Sequence, residues 1–161
     1  MIKTKLVLSA DQKTTIFNQL LKNNEVKSVI HPADNILIFS FENGIKLFVN
    51  GHWKYETNNN IIVSHLADGE SIEENFSKIE DFAEDISKKN LIVDEITWSN
   101  DKEVSIIFNN GSRLIVSGHN YKNEYLFVSL SFSSSLDDVH INVDYEDKQW
   151  IQRLVCMRKE T

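Results

Sequence analysis

Over much of the chain apolar residues alternate with polar ones in short runs, and in two places they recur instead at spacings of three and four. Ile72, Phe76, Ile79, Ala83 and Ile86 mark one helical stripe, with Glu73, Glu74, Glu80, Asp81, Glu84 and Asp85 mostly off it. Ile16, Phe17, Leu20 and Leu21 mark a narrower stripe that stops at Asn23-Asn24. Both helices have a capping-box opening, Ser9-Ala-Asp-Gln12 and Ser71-Ile-Glu-Glu74, where the Ser oxygen takes an orphan amide and the Gln or Glu returns to the cap. Asn43-Gly44 and Asn110-Gly111 predict hairpins, 36–41 returning through 45–49 and 104–108 returning through 113–116. A two-residue type I′ turn, with positive φ at both central residues, is the expected link. Further strands are expected over 26–31 and 91–98 before the hairpins and over 61–66 and 125–132 after them, with turns at Pro32–Asn35 and Ser99–Asp101.

These elements repeat. At an offset of 67, residues 37–52 (LIFSFENGIKLFVNGH) align with 104–119 (VSIIFNNGSRLIVSGH), and seven of the 16 positions are identical. Val26 then falls on Val93 and Asp34 on Asp101, and after a two-residue deletion Ile62-Val63-Ser64 falls on Phe127-Val128-Ser129. The expected fold is α+β: two α-β-β-β-β repeats, one helix each, over about 9–66 and 71–132, with an extension over 133–161. Neither unit of about 60 residues would be very stable alone, so residues 1–161 are expected to form a single domain with one core about a pseudo-two-fold. In the extension Val139, Ile141, Val143 and Tyr145 alternate with His140, Asn142 and Asp144 as an extra strand, a turn follows over 144–148, and 150–157 is apolar but of either helix or strand type. This tail is expected to close the edge of the second sheet.

Composition narrows the function classes. Lys and Arg number 17 against 24 Asp and Glu, a formal charge of -7, which argues against nucleic-acid binding through a basic face. The single cysteine, Cys156, cannot form an internal disulfide, and the apolar run near Leu6–Leu8 is too short for a secretory segment. No run approaches the roughly 18 apolar residues of a membrane helix. A cytoplasmic protein without a membrane role is the expectation, with a monomer favoured.

Motifs for catalysis are lacking. The five histidines (His31, His52, His65, His119 and His140) show no metal-ligand spacing, and the glycines serve hairpins rather than phosphate loops. His52 and His119 fall at equivalent repeat positions, so they either face a common cleft or close two turns. Asp34, Asp101, Asp137, Asp138, Asp144, Glu146 and Asp147 lie in or beside expected turns, where Asp caps the backbone. No catalytic residue, metal or cofactor is therefore assigned, and the chain is not expected to be an enzyme. Two acidic concentrations, 70–85 and 137–147, read either as solvated surfaces or as a face for a basic protein. Glu73, Glu74, Glu80, Asp81, Glu84, Asp137, Asp138 and Asp144 are the candidate contacts, with Trp53 and Tyr121 either aromatic anchors presented at hairpin ends or residues of the core or a sheet face.

The block F-x-N-G-x-x-L-x-V with a following aromatic comprises Phe41, Asn43, Gly44, Leu47, Val49 and Trp53, then Phe108, Asn110, Gly111, Leu114, Val116 and Tyr121. It resembles small bacterial immunity proteins encoded beside polymorphic or contact-dependent toxins, and the likeness spans half of the chain. The resemblance implies an antitoxin-like inhibitor that binds a cognate basic toxin, such as a nuclease, and blocks it. A small-ligand or enzymatic module with a cleft between the repeats, or a homo-oligomeric adaptor using strand edges, are the alternatives.

Overall fold

A computed structural model describes residues 2–6, 9–33, 36–50, 52–58, 60–64, 69–99, 103–117, 129–134, 139–146 and 149–156. For 2–6, 129–134, 139–146 and 149–156, and at Ala10, Ala33, Asn50, His52 and Ser99, it describes the backbone only. The described elements run β1 (Ile2–Leu6), α1 (Ala10–Leu21), β2 (Val26–Ala33), β3 (Ile36–Phe41), β4 (Ile45–Asn50), β5 (His52–Thr57) and β6 (Asn60–Ser64). They continue with α2 (Ile72–Ser87), β7 (Val93–Ser99), β8 (Glu103–Phe108), β9 (Arg113–Ser117), β10 (Ser129–Ser134), β11 (Val139–Glu146) and β12 (Gln149–Cys156). The fold is α+β, with two helices and two antiparallel sheets ordered β1-β12-β11-β10-β4-β3-β2 and β6-β5-β9-β8-β7.

Alternation decides which face of each strand is buried. Leu37, Phe39 and Phe41 of β3 and Val104, Ile106 and Phe108 of β8 point inward, while the residues between them are half-buried. Residues of both sheets and both helices, among them Phe17, Leu21, Leu47, Trp53, Ile79, Phe82, Ile96 and Leu114, make one contiguous core. The chain also crosses between sheets. β4 lies in the seven-stranded sheet, yet β5, which follows it, pairs with β9 in the other, with Trp53 opposite Val116 and Tyr55 opposite Leu114. Conversely β10, after β9, pairs with β4, with Leu130 opposite Val49 and Phe132 opposite Leu47.

Equivalent backbone geometry recurs along the chain. Val26 N–H donates to the Leu91 carbonyl at 2.7 Å and Val93 N–H to the Asn24 carbonyl at 3.0 Å, on either side of a bridge between Glu25 and Ile92. Asn23 and Asn90, just after the two helices, both take positive φ, as Asn tolerates better than most residues. Both β2 and β7 carry a register shift near their starts, between Val26 and Ser28 and between Val93 and Glu95.

Several sequence expectations are corrected. The Asn-Gly turns are not type I′: Gly44 and Gly111 take φ of 85° and 83°, whereas Asn43 and Asn110 are not among the positive-φ residues. Gly44 and Gly111 N–H groups donate to the Phe41 and Phe108 carbonyls, and the Asn43 and Asn110 Oδ1 atoms accept from the amides of Ile45 and Ser112. Longer loops ending near a left-handed Gly make the links, the next commonest hairpin solution. Five strands, not four, follow α1, because His52–Thr57 forms β5. β1 was not anticipated, since it is held by β12 at the far end of the chain. The tail extends the sheet of β2–β4 through β10 rather than the sheet of β7–β9. The expected turn at Pro32 is instead the end of β2, where an edge position and a register irregularity tolerate a missing donor.

Candidate functional site

α2 carries the densest set of exposed charge among the described elements. Ser71 Oγ accepts from the Glu74 amide at 3.1 Å and fixes the helix start, and Glu73 and Glu74 in the first turn complement the helix dipole. The buried side is Asn75, Ile79, Phe82, Ala83 and Ile86. This differs from the sequence stripe at its N-terminal end, where Ile72 and Phe76 are 72% and 37% exposed. Asn75 takes the inward position because its Nδ2 donates to the Ser64 carbonyl and to Glu70 Oε2, both at 2.9 Å. Phe82 takes the next, with its ring centroid 5.9 Å from Trp53 and 4.9 Å from Tyr55.

The polar face divides in two. Helical spacing sets Glu73, Glu80 and Glu84 in a row beside Ile72 and Phe76, all exposed. Glu74, Asp81 and Asp85 form a second row, bordered by Lys78. Lys88 and Lys89 pair with Glu84 and Asp85 at 3.4 and 3.2 Å, and Lys78 meets Glu70 at 2.6 Å. Among the described residues Glu73, Glu74 and Asp81 have no ion pair. The hydrogen bond from Lys78, seconded by that from Asn75, holds the Glu70 carboxyl below its ordinary pKa, and the same bond raises the Lys78 ammonium above its own.

His31 of β2 packs beneath this face. Its ring lies 4.6 Å from that of Phe76, and its buried Nδ1 stands 2.9 Å from Glu80 Oε1, on a carboxylate that is itself exposed. Sequence reasoning assigned His31 no role. The available signal was the sequence match at offset 67, which places His31 on Trp98. Trp98 occupies the matching position under α1, with Phe17 at 5.5 Å and Lys13 Nζ 5.4 Å from its ring centroid.

The other sequence candidates fare differently. Trp53 is 2% exposed and belongs to the core, so of its two readings the core one holds and the exposed anchor does not; it opens the inward alternation of β5 rather than a hairpin end. Asp144 lies within β11, opposite Ser129 and Ile151, rather than in a turn. Asp137, Asp138, Tyr121 and His119 lie outside the described residues, as does the side chain of His52. Glu56, not singled out from sequence, is buried on β5 and ion-paired with Arg113, its direct partner on β9, with Lys54 3.8 Å away. Among the described residues no helix is long and apolar enough to cross a membrane. Comparison with protein-family models, curated proteins and solved structures gave no match.

Proposed function

We propose that the protein is a binding protein of the immunity type, which uses the exposed face of α2 to cover a basic protein, such as a toxin, in the cytoplasm. One observation carries this reading: the row Glu73, Glu80 and Glu84 borders the exposed side chains of Ile72 and Phe76. An acidic rim around apolar anchors is the form that a basic partner's surface recognises, with the charges steering encounter and the anchors supplying affinity. Glu74 and Asp81 extend the same field. We further infer that the two halves are copies of one unit of a helix and antiparallel strands, exchanged between the sheets. The paired bonds at Val26 and Val93, the positive φ at Asn23 and Asn90, and the sequence match at offset 67 support that duplication.

Affinity capture with the tagged protein at low and moderate salt tests the binding reading, comparing the wild type with a triple Glu73→Gln, Glu80→Gln, Glu84→Gln variant and with Phe76→Ala. The expected result is an equimolar basic protein on the wild type that is retained about tenfold less by each variant. Failure to retain any protein overturns the reading, and equal retention by all three proteins removes α2 as the contact.

A further inference from the structure

The edges of the two sheets are closed unequally. At β2, outermost in the seven-stranded sheet, Ser87 Oγ of α2 accepts from the Val29 amide at 2.8 Å and stands 3.1 Å from the Val29 carbonyl. At β7, outermost in the five-stranded sheet, Asn18 of α1 accepts from the Ile96 amide and donates to the Ile96 carbonyl, both at 2.8 Å, and Thr14 Oγ1 accepts from the Trp98 amide. A helix side chain thus stops the outer edge at equivalent places, Val29 and Ile96. β6, the opposite edge of the five-stranded sheet among the described residues, is held by α2 at its end, where Asn75 bonds the Ser64 carbonyl. Its first three residues are exposed, with Ile61 and Ile62 each at 58%. Open strand edges with apolar side chains are templates for pairing.

We infer that β6 is a self-association edge, at which two copies pair their β6 strands antiparallel about a two-fold axis and cover Ile61 and Ile62 of each with those of the other. Charge selects the occupant. No Asp, Glu, Lys or Arg occurs from Thr57 through Ala67, in a chain whose net charge is -7. Two acidic copies repel over most surfaces, and a charge-free edge is where they approach at least cost. The strand has no charge with which to recruit a basic or an acidic partner, whereas antiparallel pairing about a dyad is self-complementary by symmetry. The register shift beside Ile62, between Tyr55 and Glu56 on β5, shortens the length that can pair. Such a contact buries less than the ~1,000 Å² of a stable interface. The dimer is therefore reversible and concentration-dependent, a departure from the monomer favoured in the sequence analysis, and it does not depend on the reading of α2.

Sedimentation equilibrium over a dilution series of the full chain tests this, with Ile61→Lys and Ile62→Lys as separate variants and Ile30→Lys, at an exposed apolar position on β2, as the control. The wild type and the Ile30 variant are expected to shift from one chain mass toward two as concentration rises, while at least one β6 variant that keeps the wild-type circular dichroism stays at one. Added salt should strengthen association, because it screens the repulsion between acidic copies. A wild type that stays at one chain mass at every concentration overturns the inference. So does a dimer that survives both β6 substitutions, or one that salt weakens.

Discussion

Tyr55 and Trp53 show how far one buried polar atom can be read. Both rings pack on Phe82, but among the described residues neither the Tyr55 hydroxyl nor the Trp53 indole N–H has a hydrogen-bond partner. An unpaired buried hydroxyl costs stability relative to no hydroxyl at all. Tyr55→Phe is therefore expected to leave stability unchanged or raise it by about 1 kcal/mol, measured from the urea midpoint. A clear loss would show that the hydroxyl has a partner worth keeping. The Glu70–Lys78 pair makes a second residue-scale prediction, in its sign. Glu70 is depressed by its bond from Lys78, so its contribution is present above the unfolded carboxylate pKa and is lost as pH falls through the folded value. Lys78 is raised, so its contribution is present below the unfolded ammonium pKa and is lost as pH rises through the folded one. Lys78→Met should flatten the acid arm of a stability-against-pH curve and remove part of the alkaline decline. A variant curve parallel to the wild type at both ends would show that the pair adds nothing.

At the scale of elements, the strongest dependence is between a helix and the edge it stops. Asn18 serves both backbone groups of Ile96, and removing its amide strands a donor and an acceptor in a part-buried place. Asn18→Ala should cost about 1–3 kcal/mol, read from chemical denaturation, with the exchange of the Ile96 amide accelerated. A loss no larger than that at an exposed α1 position such as Gln19→Ala would show that the edge is closed by packing alone. The hairpins around Gly44 and Gly111 were legible in sequence because alternation and turn chemistry agree there. β5 was not, although Trp53, Tyr55 and Thr57 alternate with Lys54 and Glu56, because the preceding Gly51-His52 resembles a hairpin end and nothing local shows a strand changing sheets. α2 was legible as a helix, but its inward face was misjudged at Ile72 and Phe76. Hydrophobic spacing cannot tell a core stripe from exposed anchors when a polar residue, Asn75, is the one that finds buried partners. For the same reason the acidic half of the candidate site could be read from sequence, while its apolar half and His31 could not.

For the whole molecule, the crossing of strands between the two sheets sets cooperativity. β5, from the first half, is paired in the sheet of β7–β9, and β10, from the second, in the sheet of β2–β4. α2 bonds to β2, α1 bonds to β7, and one core joins the halves. Neither half can keep its own sheet complete if the other unfolds, because the sheet of β7–β9 would lose β5 and β6, the sheet of β2–β4 would lose β10, and each would lose the helix that stops its edge. That interdependence predicts a single calorimetric transition, with calorimetric and van't Hoff enthalpies equal, and no folded fragment from residues 1–68 alone. The sequence match at offset 67 could suggest the opposite, two modules in tandem each melting by itself, since duplicated units often add their stabilities. Scanning calorimetry separates the two: one transition means that the halves form one cooperative unit, and two resolved transitions would mean that the strands crossing between the sheets contribute too little to couple the halves.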